Sequence, residues 1–463
     1  MRKINNKKRI YPHTLSVGKN KNLQKRTLDF NLQKNQFKNT KSVGVYLDNA
    51  AATATDPEVL KAMLPYFGDV FGNPSALHQD GRVAKNALFE ARKKVAKILN
   101  ADAGEIIFCG SGTESDNLAI LGVSRFYKNK GNHLISTNIE HHAVLNSLER
   151  LQKKENFSVT LAPVKKNGII SAEEILKNIN KGTILISVMH ANNEIGTIQP
   201  IKEISEIIKK WKKDNMRSVN DPPFFHTDAC QAAGYLDLDV KKLGVDLMTL
   251  NGSKIYGPKG VGVLYIRRGV QMEPIIFGGG QERNLRSGTE NLAGVVGFAK
   301  ALEMVQKNKN KENARLEKLQ KYFFQQVLNT IPSVVINGDL KNRLPGNVNV
   351  SILGIEGEAM LIYLDERGIS ASTGSACDSS RLEPSHVILA LGQSYEYAHG
   401  SLRFSMGKHT TKREIDYTVK ALKEVVEKLR KISPLGFGGK NNSKVNKKAF
   451  VSGGLPHWER KNK

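Results

Sequence analysis

Asn251-Gly252-Ser253-Lys254-Ile255-Tyr256-Gly257-Pro258-Lys259-Gly260 is the stretch on which the fold turns. The mostly apolar run 245–250 precedes it and predicts a buried strand. Gly257, Pro258 and Gly260 then predict a turn. Lys254 therefore falls just past a strand end, where an open α/β sheet presents its ligand crevice. Two readings are open for it. It is a solvated surface lysine, or it is an amine held in a dry pocket to form a Schiff base with a bound aldehyde.

Working outward, strand candidates at 133–136, 158–162, 183–189, 224–227, 246–250 and 262–266 alternate with helices that include 172–179 and 201–212. That alternation argues for a parallel sheet covered on both faces. Upstream, 43–48 is a short strand candidate, and Asp56-Pro57-Glu58 opens a helix with Asp as cap, Pro first and Glu in the first turn. An amphipathic helix is expected over 81–99, with Val83, Leu88, Ala91, Val95 and Ile98 near helical spacing. Residues 105–117 read as a strand, a glycine turn and a helix start. Small residues there leave backbone N–H groups free for an anion, although a plain strand–turn–helix joint accounts for the same pattern. The polar, proline-bearing stretch 214–223 reads as a surface loop. Beyond Gly294 the pattern changes to a long helix near 295–327, shorter strands at 334–336 and 347–352, and further helices, which we read as a second α+β domain.

The chain has 463 residues and a net charge of +26. Residues 1–43 hold twelve Lys/Arg against one acid (+11), and residues 434–463 hold seven against one (+6), so the 390 residues between carry only +9. Both tails read as basic and flexible, and 1–43 as disordered. A basic tail offers a contact for nucleic acid, but the folded part has ordinary charge and carries no nucleic-acid motif, so direct nucleic-acid binding is not expected. No uncharged apolar run is long enough for a membrane span. Three cysteines without disulfide or metal-ligand spacing favour a reducing compartment. The expected location is cytoplasmic. It is mitochondrial if the Lys/Asn-rich amino terminus is a presequence, a class that favours Arg and Ser.

Four further positions carry side chains with chemistry. His141 follows strand candidate 133–136, Asp228 ends strand candidate 224–227, and Arg403 lies in the alternating stretch 401–405, where an inward Arg needs an anionic partner. Cys377 sits among the small, polar residues of 371–380, as expected of an exposed loop, whereas Cys109 and Cys230 adjoin strands and read as small packed residues. Taken singly, the histidine is a structural residue and the acid a cap. Taken together, a strand-end lysine, an acid after the preceding strand and a phosphate-type turn are what pyridoxal phosphate needs. The lysine makes the imine, the acid keeps the ring nitrogen protonated, and the helix start takes the phosphate.

Over residues 46–435 the chain resembles the class I cysteine desulfurases of the NifS/IscS type. The matching motifs are Tyr46-Leu-Asp-Asn-Ala-Ala-Ala, Gly72-Asn-Pro-Ser, Ser111-Gly-Thr-Glu-Ser-Asp-Asn, Glu140-His141, Asn192-Asn-Glu-Ile-Gly, the run from Asp228 to Gln231, Lys254-Ile-Tyr-Gly-Pro-Lys-Gly, Gly278-Gly-Gly-Gln-Glu-Arg, Arg286-Ser-Gly-Thr-Glu-Asn, Ser375-Ala-Cys377 and Arg403-Phe-Ser. The resemblance implies an α/β protein of pyridoxal-phosphate fold-type I: a large domain (57–309) with a mostly parallel seven-stranded sheet, and a smaller α+β domain (44–56 and 310–433) carrying the Cys377 loop, with tails at 1–43 and 434–463. It implies a homodimer that converts L-cysteine to L-alanine and passes the sulfur, as a persulfide, to an acceptor protein for iron–sulfur cluster assembly or tRNA thiolation. By the same resemblance Lys254 is the Schiff-base lysine, and Asp228 pairs with the ring nitrogen. His141 stacks on the ring and relays protons. Asn193 and Gln231 meet the ring-oxygen side. Gly112 and Thr113 bind phosphate, joined by Thr289 from the other subunit. Arg403, with Asn193, takes the substrate carboxylate, and Cys377 attacks the substrate sulfur. Asn251 and Ser253 stand where the family usually shows Ser and His, and each keeps a donor that can reach phosphate. The rival readings are a selenocysteine lyase or another fold-type I enzyme such as an aminotransferase, which needs no thiol at Cys377, and a basic nucleic-acid-binding protein working through its tails.

Overall fold

The computed structural model describes residues 44–373, 384–432 and 450–451; Cys377, residues 1–43 and nearly all of 434–463 lie outside the described residues. Strands form at β1 (Val45–Tyr46), β2 (Ile106–Cys109), β3 (His133–Thr137), β4 (Ser158–Ala162), β5 (Thr183–Ser187), β6 (Phe224–Asp228), β7 (Leu247–Asn251), β8 (Gly262–Ile266), β9 (Val334–Ile336), β10 (Asn347–Ile352), β11 (Ile369–Ser370), β12 (Ser401–Ser405) and β13 (Phe450–Val451).

β2 to β8 build a seven-stranded sheet in the order β2-β8-β7-β6-β5-β3-β4. Strands β7, β6, β5, β3 and β4 run parallel, while β8 runs against both its neighbours. Parallel neighbours need a crossover, and helices His142–Glu155, Ala172–Asn178 and Ile201–Asp214 supply three of them. The reversal at β8 removes that need between β7 and β8. A short turn therefore joins them, and Lys254 sits in it.

Both sheet faces are covered. On β6 and β7, Phe225 and Met248 face one core while their neighbours Phe224 and Leu247 face the other, as the two-residue strand period dictates. This meets the expectation of a sheet buried on both sides. Asp56 caps the helix Pro57–Met63 by accepting from the Glu58 N–H at 2.8 Å. The expected 81–99 helix runs over Gln79–Leu99 and stops at Asn100, which takes the left-handed conformation at φ 54°.

The helix Leu292–Thr330 starts three residues before its apolar pattern suggests, because Asn291 caps it: Asn291 Oδ1 accepts from the Gly294 N–H at 3.0 Å. Val295, Phe298 and Leu302 pack into the first core, and Leu316, Phe323 and Val327 into a second. The second core lies against the antiparallel strands β12-β10-β9. Val45 and Leu47, from the start of the described chain, pack there too, and β1 pairs in parallel with β11. Among the described residues no helix is long and apolar enough to cross a membrane.

Candidate active site

The carboxyl ends of the parallel strands meet at a cavity of about 200 Å³. Its walls include Gly112 and Thr113 beyond β2, His141 beyond β3, Asn193 beyond β5, Asp228 and Gln231 at and beyond β6, Asn251 and Lys254 at and beyond the end of β7, and Arg403 from β12. The structure thus brings together most of the residues expected from sequence. Ser253 is not on the wall, and Thr289 is exposed on the surface segment after Gly288. Cys377 lies outside the described residues.

Lys254 ends the turn Gly252–Lys254, whose start is fixed by the Asn251 side chain. Asn251 Oδ1 accepts from both the N–H and the hydroxyl of Ser253, each at 3.1 Å. The Ser253 hydroxyl expected to reach phosphate is therefore turned toward Asn251. Lys254 Nζ donates to the Ala51 carbonyl at 2.5 Å. Ser111 caps the helix Gly112–Asn117 through a bond from the Glu114 N–H at 3.1 Å, which leaves first-turn N–H groups without intrahelical acceptors. Crowding explains the glycines here. A Cβ on Gly112 would meet Cys230 Sγ at 2.7 Å, and one on Gly262 would strike the Ser111 backbone at 2.4 Å.

Asp228 is buried and held by backbone bonds: the Cys230 N–H reaches its Oδ1 at 2.9 Å, and its carbonyl accepts from the His190 N–H at 2.8 Å. Asp116 lines the same cavity at 1% exposure. Burial, and then the nearby charge of Asp228, push the Asp116 carboxyl well above the usual range. Its Oδ1 has no hydrogen-bond partner among the described residues and lies 3.7 Å from His226 Nε2. Burial drops His226 to about 4, and His190 likewise. His141 caps the helix His142–Glu155, its Nδ1 accepting from the Ala143 N–H at 3.1 Å. That bond places the proton of a neutral ring on Nε2, and burial keeps the ring neutral by lowering its pKa, against the pull of Asp228. Behind it Glu140 is fully buried and pushed up to about 8 by that burial. Its Oε1 accepts from Thr137 Oγ1 at 2.6 Å and the Met189 N–H at 3.0 Å.

Arg403 comes from the other sheet, opposite Asn349 in register. At 4% exposure its guanidinium donates from Nη2 to Asp48 Oδ1 at 2.8 Å and from Nη1 to the Asn193 carbonyl at 3.0 Å. Asn192 orients that carbonyl by accepting from the Glu194 and Ile195 N–H groups at 2.8 and 2.9 Å. Asp48, Asp116, Glu194 and His226 all shape the site, and the sequence reading gave none of them a role. Asp48, Asp116 and Glu194 sit inside the family motifs, so a signal was present, but nothing local says what they face.

The donor set suits a phosphorylated aldehyde with a basic ring. It offers an amine at Lys254, a buried carboxylate at Asp228, free helix-start N–H groups, and an unpartnered buried carboxyl oxygen on the same wall.

Residues 45–418 match the protein family described as aminotransferase class-V. The cysteine desulfurase IscS of Dictyoglomus turgidum is 47% identical over 405 residues, covering 88% of this chain and 99% of that protein. That of Clostridium botulinum is 49% identical over 393 residues, covering 84% and 96%. A solved structure titled as a NifS-like protein matches with a TM-score of 0.77 at 36% identity, over 84% of this chain and 100% of that one.

Proposed function

The chain belongs to the aminotransferase class-V family and, within it, to the cysteine desulfurases, and we propose that it releases L-alanine from L-cysteine while Cys377 takes the sulfur as a persulfide. The carrying observation is the meeting of Lys254, Asp228, His141 and Arg403 on one cavity. We assign pyridoxal 5'-phosphate to that cavity. When bound, it supplies an electron sink for charge that develops on the substrate carbon.

The chain's own groups do the rest. Lys254 is the covalent anchor. Asp228 holds a proton on the cofactor's ring nitrogen. Gly112 and Thr113 offer backbone N–H groups to the phosphate, with the Asn251 amide beside them, its oxygen held by Ser253, and Thr289 reaching across a homodimer. Asn193 and Gln231 fix the ring edge, and His141 carries a proton on Nε2. Arg403 grips the α-carboxylate with a planar fork. The Cys377 thiolate is the competent nucleophile toward sulfur. It forms an S–S bond as the substrate C–S bond breaks, and the electron pair left on carbon takes up a proton to give alanine. The persulfide then passes to an acceptor protein for iron–sulfur cluster assembly or tRNA thiolation. We read 57–309 as the large domain and 44–56 with 310–433 as the small one.

Protein incubated with L-cysteine and a small thiol should yield alanine and sulfide in equal amounts, with persulfide on the peptide containing Cys377. Cys377→Ser should still bind cysteine and release almost no sulfide. Sulfide at near the parent rate from that variant would move the aminotransferase or lyase reading ahead.

A further inference from the structure

Arg403 is buried but incompletely partnered. A guanidinium carries five N–H donors, and here the described residues take Nη1 and Nη2 once each, while the buried Nε–H has no acceptor. One of its two partners is itself a carboxylate. Asp48 Oδ1 sits on Nη2 at the distance of a charge-assisted bond, 2.8 Å.

The Asp48 backbone is pinned: its carbonyl accepts from the Tyr46 hydroxyl at 3.1 Å and from the Ala51 and Ala52 N–H groups at 3.1 and 3.3 Å. Its carboxylate, by contrast, has only the Arg403 bond among the described residues, and its side chain is 20% exposed against 5% for Arg403. The acid can therefore swing outward while the arginine stays in place. The residues next to it behave alike. Ala51 offers its carbonyl to Lys254 Nζ at 2.5 Å, and Ala50 offers its carbonyl to Gln231 Nε2 at 3.0 Å. Segment 48–51 thus accepts hydrogen bonds from three of the groups assigned above to cofactor and substrate. The other nearby acid, Glu194, is no substitute for Asp48, because its Oε2 accepts from the Ser385 hydroxyl at 2.5 Å.

We propose that Asp48 is a resident carboxylate on the Arg403 fork, which the substrate's α-carboxylate displaces from Nη2, so that the charge of Asp48 sets how tightly the site takes a monocarboxylate. This rests on Arg403 being the carboxylate clamp. Two carboxylates sharing one guanidinium repel each other. The fork is thereby kept preorganised but weakened toward any acid too small to compensate through further contacts, and cysteine compensates through its amine and thiol. Asp48 is a positioning and specificity residue on this reading, not a catalytic one.

The test uses the holoenzyme and sodium propionate, a carboxylate without amine or thiol. Asp48→Asn keeps the volume and an acceptor oxygen for Nη2 and removes only the charge. Calorimetry should then show propionate bound about tenfold more tightly, with KM for L-cysteine falling in the same direction and kcat changing less. Asp48→Glu should bring the propionate Kd back toward the parent. Asp48→Ala, the second variant, should also bind propionate more tightly, since it too removes the competitor. Arg403→Lys is the control and should weaken propionate and cysteine together. If Asp48→Asn and Asp48→Ala bind propionate no better than the parent while Arg403→Lys weakens it, Asp48 is not a competitor. If Arg403→Lys changes neither ligand, the clamp assignment itself fails, and this proposal with it.

Discussion

The two sheets handle buried charge differently where they meet the cavity. On the β3–β6 side, Glu140, His190, His226 and the neighbouring Asp116 are almost fully buried. Glu140 is raised to about 8, His190 and His226 are lowered to about 4, and Asp116 is raised as well, in each case first by burial. On the β12 side, Arg403 is equally buried but has a carboxylate partner at 2.8 Å. Desolvation silences charge where no partner is supplied, and pairing preserves it where one is. The first side is thus suited to hold a cofactor whose own charges should dominate, and the second to hold a charged substrate group. Each variant below presses on one side of that contrast.

The largest effect should come from Lys254→Ala. Among the described residues Lys254 is the one amine on the cavity wall, and removing it takes away both the covalent anchor and a proton carrier. Turnover should fall by at least about 10³-fold. Borohydride reduction of the parent should leave the cofactor on the peptide containing Lys254. A label on Lys259, which is exposed, would break the assignment and, with it, the meaning given to the β7–β8 turn.

Arg403→Lys comes next. A lysine supplies one point charge where the arginine spans Asp48 and the Asn193 carbonyl. The loss should be about 2–4 kcal/mol in kcat/KM for cysteine, with a much smaller change in cofactor affinity. A variant that lost cofactor as readily as substrate would show that the two sides are not separable.

How much of this contrast can be read from the chain follows from what is local. Strands β4, β8, β9 and β10 fall on the bounds read from the sequence, and β8 and β9 are apolar runs buried at every residue. Lys254, Asp228 and His141 are legible because they sit at or just past strand ends, and strand ends converge in this architecture. Pairing across the fold is not legible. Asp48 and Arg403 are 355 residues apart, and nothing near either one names the other. Asp116 stands on a helix where an acid usually faces solvent. The packing of that helix against β7, β8 and the helix after β3 buries it and pushes its carboxyl upward. Ser253 shows the converse. Its hydroxyl has the right chemistry for phosphate, but the tight turn offers it a nearer acceptor in Asn251.

The smallest effect on turnover tests the silenced side, through stability against pH. Glu140 has a folded pKa of about 8 against an ordinary 4.5, so between those values the folded chain holds a proton that the unfolded chain has released. Stability from this group is therefore complete below the ordinary value and is lost as pH rises through the folded one. His190 and His226, lowered to about 4 from 6.5, slope the other way: their contribution is present above 6.5 and lost as pH falls through 4. Total stability mixes the two slopes, but a difference between variants does not. Glu140→Gln keeps an oxygen for Thr137 and Met189, cannot ionise, and leaves both histidines in place. It should match the parent at about pH 4 and exceed it by about 5 kcal/mol at about pH 9, read from urea midpoints at constant slope. A difference that stays flat, or that shrinks as pH rises, would mean Glu140 is ionised in the folded chain. The cation balancing it would then have to be found on the side of the cavity that pairs none.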